Sequence, residues 1–230
     1  HFSDFNQDIE HSPMVRRGLS HLDKHSKPQA AMADGAPTVS ADGKTYTVKL
    51  KKDLKWSDGQ PLDANDFVLG IQRTCNPDNA GHYQYILTEI VGCDAYYGAG
   101  KKTAEEKAAL LKAVGVRAVD ATTIEFKLTD PVPTFSIKLA LWPTFPAPKH
   151  KLATVDAKWP APMDNVYNGP FKPSAYTEKS GITLVPNEQY TGAVKAQVEK
   201  IVIKYIDDPA VALTAYRAGE IDATIVPSTQ

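Results

Sequence analysis

Asp58, Asp63 and Asp66 crowd into one stretch, KWSDGQPLDANDF, residues 55–67. Carboxylates held close together can share a proton and serve as general acid and base, so this is the first place to look for catalysis. The same letters also spell a turn followed by a helix cap. Asp58-Gly59 is a turn signal after an element carrying Trp56, expected to be a strand. Asp63 with Asp66 three residues on is an acidic form of the capping box. Phe67 and Ile71, at i and i+4, supply a core-facing stripe, and both acids suit the positive end of a helix dipole. The preferred reading is that these carboxylates shape backbone. The competing one is a small α/β hydrolase using Asp58, Asp63 or a His.

Other chemical signals are weaker. GAGKKT, residues 98–103, has Ala95 where a phosphate loop needs its first Gly and Lys102 where it needs Ser or Thr, so it reads as a turn. His21 and His25 share an i,i+4 spacing but lack a third ligand or a base, and no metal site or cofactor is expected. No GxSxG, HExxH or dinucleotide glycine pattern occurs, and no catalytic residue is assigned. The two cysteines, Cys75 and Cys93, either pair in an oxidising compartment or sit as buried thiols. Aromatic residues gather in HYQY (82–85), AYY (95–97) and TFP (144–146), where rings could stack along a ligand groove or simply bury area.

The elements that must position these residues are marked by pattern and punctuation. KTYTVKLKK turns Tyr46, Val48 and Leu50 one way, and TTIEFKLTD repeats the alternation with Ile124, Phe126 and Leu128, so both read as strands with one wet face. IVIKYI, residues 201–206, is more uniformly apolar and predicts a better-buried strand. TAEEKAALLKAVG predicts a helix capped by Thr103 and Glu106 and stopped at Gly115 in the left-handed conformation. DDPAVALTAYRAGEID predicts another, with Asp208 as cap, Pro209 at the first position and Gly219 at the end. Strands and helices interleave along 230 residues, giving a mixed α/β (α+β) class. A net charge of −1 without a basic patch excludes nucleic acid as the main partner. No apolar run approaches the ~18 residues of a membrane span. The opening His1-Phe2 is what a processed or trimmed product would show.

Three segments in order carry a resemblance. They are YTVKLKKDLKWSDGQPLDANDFVLGIQR (46–73), NGPFKPSAYTEKSGITLVPNEQYTG (168–192) and VEKIVIKYIDDPAVALTAYRAGEIDA (198–223). Together they resemble the large solute-binding proteins of peptide and nickel ABC transporters, the oligopeptide- and dipeptide-binding group, extracellular solute-binding protein family 5. The resemblance implies a periplasmic-binding-protein-like type II lobe with the extra family-specific subdomain, the second lobe being absent. Residues 1–20 and 150–230 would form the first lobe and residues 20–150 the inserted subdomain. It implies capture of peptides outside the cytoplasmic membrane, at its periplasmic or extracellular face, by a lipid-anchored parent protein. Delivery would be to a membrane ABC permease, by a monomer. Ligand contacts carried over by position are Asp4, Phe5 and Asn6 in the opening loop, Tyr83, and Thr224, Ile225 and Pro227 in a terminal strand. Another solute, such as a nickel chelate or a sugar, and a sensory binding domain are the alternatives within the same fold.

Overall fold

A computed structural model describes residues 6–79 and 81–226. Helix α1 (Asn6–Val15) leads into a hairpin of β1 (Ser20–Leu22) and β2 (Pro28–Ala30). Then come β3 (Thr38–Val39), β4 (Thr45–Lys49) and α2 (Ala64–Thr74). Short helices α3 (Cys93–Tyr97) and α4 (Ala104–Ala113) precede β5 (Val116–Asp120) and β6 (Thr123–Lys127). One turn of helix, α5 (Phe135–Lys138), is followed by β7 (Phe171–Thr177), β8 (Gly181–Pro186), β9 (Ile201–Lys204) and α6 (Pro209–Arg217).

The alternation seen in the sequence sets the main sheet, ordered β3-β4-β6-β5 and antiparallel throughout. Tyr46 pairs with Phe126 and Val48 with Ile124, so four apolar side chains share the buried face while Thr45, Thr47 and Lys49 take the other. Phe135 closes this layer, edge-on to Tyr46 at 5.0 Å and to Phe126 at 5.5 Å between ring centroids. Trp56, Phe67 and Ile71 pack into the same core, which draws on residues from Leu19 to Leu139 together with Val166 and Tyr190. The two expected capping boxes form: Asp63 and Asp66 start α2, and Thr103 and Glu106 start α4. Asp208 caps α6, with Pro209 in its first turn.

Four expectations are corrected. Trp56 is not on a strand: only Lys55 bridges, to Pro61, and Gly59 (φ 85°) turns the chain with its N–H on the Trp56 carbonyl. Gly115 is not a left-handed terminator, because α4 ends in extended backbone at Val114 and Gly115 already pairs, donating to Val91 O and accepting from Lys127 N, both at 2.7 Å. Strand β9 is not better buried than the others. It is the edge of the three-stranded sheet β7-β8-β9, and Val202 is 52% exposed. Residues 221–226 form no strand, since no neighbouring segment among the described residues offers them a ladder.

Candidate functional site

The acid-rich stretch lies at the N-terminal end of α2, and residues 143–149 run antiparallel along that helix. Thr74 Oγ1 donates to Pro143 O at 2.8 Å, Ala147 N donates to Asp66 O at 2.9 Å, and Lys149 N donates to Asp66 Oδ1 at 2.9 Å. Gly70 makes this approach possible, because a Cβ there would stand 2.1 Å from the Phe145 carbonyl oxygen.

Each carboxylate of the stretch is taken up in this junction. Asp66 is fully buried and accepts three hydrogen bonds: from Lys149 N and Asp63 N at 2.9 Å and from the Trp56 indole at 3.3 Å. Burial raises its pKa above the ordinary carboxylate value despite those donors. Burial also opposes ionisation of Asp63, but the Lys149 ammonium and the Asn65 N–H outweigh it and hold that carboxyl below its usual value. Lys149 Nζ pairs directly with Asp63 Oδ2. Asp58 accepts from Gln60 N at 3.1 Å and meets His150 Nε2 at 2.9 Å. The Asp58–His150 contact is the nearest approach to a catalytic pair. It sits at the surface, with Trp56 edge-on to the imidazole at 6.3 Å, and among the described residues no Ser, Thr or Cys side chain is hydrogen-bonded to His150. The junction is held together by capping and cross-linking.

The C-terminal end of α2 differs. Cys75, its C-cap residue, is joined by a disulfide to Cys93 at the start of α3, with the Cα atoms 5.1 Å apart. The loop this closes carries Tyr83 and Tyr85. Tyr83 meets Trp142 edge-on with ring centroids 4.7 Å apart, and Tyr85 lies 5.9 Å from Tyr83. Tyr85 is 61% exposed, while Ile86 and Leu87 beside it are buried and anchor the loop.

The exit of α1 is fixed by a third set of contacts. Arg16 lies 4.2 Å over the Trp159 ring and 5.8 Å over Tyr167, and Arg73 approaches Trp159 from 5.4 Å. Burial lowers the Arg16 pKa to about 10, a value that leaves it charged at neutral pH. Asn168 closes a reciprocal pair with Arg17, accepting from its N–H at 3.2 Å and donating to its carbonyl at 2.8 Å. Gly169 N donates to Val15 O at 2.9 Å, and a Cβ on Gly169 would fall 2.4 Å from Val15 C. The Asn-Gly-Pro motif is therefore a docking point for α1.

Of the residues carried over by resemblance, Asp4, Phe5 and Pro227 lie outside the described residues. Asn6 is the first residue of α1, Tyr83 belongs to the aromatic cluster, and Ile225 is exposed on 221–226 beside half-buried Thr224. No hydrogen bond or ring contact among the described residues joins Tyr83 to Thr224 or Ile225. Sequence reading missed Trp142, Lys149 and His150. The segment TFP (144–146) was singled out for its ring, but the ring that meets Tyr83 is Trp142, two residues before it. His21 lies on β1 and His25 in the following turn, not on a helix face. Among the described residues, no group of three or more His, Cys, Asp or Glu is placed to hold a metal, and no helix is long and apolar enough to cross a membrane.

Comparison with known proteins adds the decisive observation. The model of the bacterial extracellular solute-binding proteins, family 5 Middle, matches residues 27–230. The chain belongs to that family. A probable deoxycholate-binding periplasmic protein of Escherichia coli is 36% identical over 93% of this chain and 38% of its own length. An oligopeptide-binding protein of Bacillus subtilis is 34% identical over the same shares. The substrate-binding domain of an oligopeptide ABC transporter from Bacillus anthracis superposes with a TM-score of 0.83 at 31% identity, over 95% of this chain and 41% of that one. The chain thus spans about two fifths of the length of these relatives. The expected type II binding-protein lobe is the fold observed.

Proposed function

We propose that this chain is part of an ABC-transporter binding protein that captures peptides at the periplasmic or extracellular face of the membrane and passes them to a permease. The observation that carries this reading is family membership along residues 27–230, with oligopeptide-binding proteins among the relatives. The engagement of Asp58, Asp63 and Asp66 in caps and cross-links supports a role in binding and not in bond-breaking. Extended peptide is recognised through its main chain, while roomy hydrated pockets accept varied side chains.

In this reading residues 20–150 are the family's inserted subdomain, and residues 1–20 and 150–230 belong to the first lobe. Asp4, Phe5, Asn6, Tyr83, Thr224, Ile225 and Pro227 contribute to one wall of the groove, and the protein works as a monomer. The stack of Arg16 and Arg73 on Trp159 supports a fixed direction for α1, whose first residue is Asn6. A second reading, capture of a bile acid, is favoured by the 36% identity to the probable deoxycholate-binding relative.

Calorimetric titration of the full-length protein with di- to octapeptides, deoxycholate, a nickel chelate and a sugar separates these readings. The expected result is micromolar or tighter binding of peptides. Tight binding of one of the other solutes with no peptide bound overturns it.

A further inference from the structure

We propose that Arg17, His21 and Lys51, with the Tyr190 hydroxyl, form a binding site for a small oxyanion, a carboxylate or phosphate group. The inference does not depend on the peptide reading above.

Backbone pairing brings these residues together. Gly18 and Leu19 lie beside residues 31–33, with Met32 N donating to Gly18 O at 3.2 Å and Ala31 N to Leu19 O at 2.9 Å. Lys51 bonds the same segment twice, its N–H on Met32 O at 2.9 Å and its Nζ on Ala31 O at 2.7 Å. Asn168 grips both the N–H and the carbonyl of Arg17, so that side chain leaves from a fixed point. The Arg17 guanidinium faces the hydroxyl of buried Tyr190. Gly192 pins that ring, since a Cβ there would stand 2.1 Å from the hydroxyl oxygen, and Lys195 Nζ donates to the Tyr190 carbonyl at 3.1 Å.

The charges that meet here are positive. Among the described residues no carboxylate forms an ion pair with Arg17, His21, Lys51 or Lys195. Burial, then the charges of Arg17 and Lys51, hold the His21 imidazole below its usual pKa against the pull of Asp23. The Asp23 carboxylate is already engaged, accepting from His25 N at 2.8 Å, Lys27 N at 2.9 Å and Gln29 Nε2 at 3.2 Å. Arg17 Nε is buried and has no hydrogen-bond partner among the described residues.

Buried charges are normally paired, and a buried donor without an acceptor costs its desolvation. An oxyanion meets both needs. It accepts from the planar guanidinium and offsets the charge that Arg17 shares with His21 and Lys51. An apolar or cationic ligand does neither.

The test is calorimetric titration of the full-length protein with sodium phosphate and sodium acetate at matched ionic strength, using wild type, Arg17→Gln and Lys51→Gln. Wild type should bind both anions, and its thermal midpoint should rise with phosphate and not with chloride. Arg17→Gln should lose about tenfold in affinity, the size of one charge-assisted hydrogen bond. Lys51→Gln leaves the Arg17 anchorage untouched and should lose about threefold, through charge alone. Phosphate displaced by Ala-Ala-Ala but not by its C-terminal amide identifies the occupant as the carboxylate of a captured peptide. Phosphate displaced by neither identifies a free ion. Equal anion affinity in wild type and both variants overturns the site. So does a wild type that binds neither anion, the outcome if a carboxylate elsewhere in the full-length protein pairs with Arg17.

Discussion

The two ends of α2 were built from different materials. The N-terminal end gathers Asp58, Asp63, Asp66, Lys149 and His150, the residues most suggestive of chemistry, and each is spent on a cap, an ion pair or a cross-link. The C-terminal end gathers a disulfide and three rings, and leaves Tyr85 facing solvent. Charged residues draw the eye in a sequence, but a polar group whose bonds are all made inside the protein has nothing left for a ligand. Exposed apolar surface on a rigid base does. The acid end should therefore answer to mutation in stability, and the aromatic end in affinity.

Asp66→Ala should have the largest effect. It strips acceptors from two backbone N–H groups and an indole at a fully buried site, at ~1–3 kcal/mol per orphaned donor, for a total of roughly 4 kcal/mol. Thermal unfolding measures this loss, while peptide affinity of the folded fraction should be unchanged. A large affinity loss without a stability loss would reverse the assignment of the two ends.

Reducing the Cys75–Cys93 bond, or replacing both cysteines by Ala, should cost about 3 kcal/mol from the unfolded-state entropy of its loop. Unlike Asp66→Ala, it should also weaken peptide binding, because the loop it closes carries Tyr83, one of the proposed ligand contacts. Unfolding and calorimetry on the same reduced sample separate the two effects.

Lys149→Ala should cost less, under ~1 kcal/mol at pH 7, as expected for a partly exposed ion pair. Its sign with pH is fixed. The Asp63 pKa is lowered in the folded protein, so its contribution is present above the unfolded value near ~3.9 and is lost as pH falls through the folded one. The cost of Lys149→Ala should shrink accordingly between pH 7 and pH 3 in denaturation midpoints. Asp66 runs the other way: with its pKa raised, its contribution is fullest below the unfolded value and declines as pH rises through the folded one. Tyr85→Ala should be smallest in stability, within ~0.5 kcal/mol, since the ring is mostly in water.

What the sequence made legible was local. The caps at Asp63, Thr103 and Asp208 depend on residues two or three positions apart, and the β4 and β6 faces follow from alternation, so all could be read directly. The pairing of Lys149 with Asp63 and the meeting of Trp142 with Tyr83 span 86 and 59 residues, and depend on the path of 143–149 along α2. Hydropathy misled at β9, where apolar letters suggested burial although the strand lies at a sheet edge. A strand's exposure depends on neighbours its own residues do not encode.

Amide hydrogen exchange of the full-length protein with and without Ala-Phe-Ala tests the contrast most directly. Binding should bring new protection to residues 81–87 and to the segment around Trp142, with Lys55–Phe67 and 147–150 unchanged. Protection appearing at the acid-rich junction while the aromatic end stays as it was would contradict it.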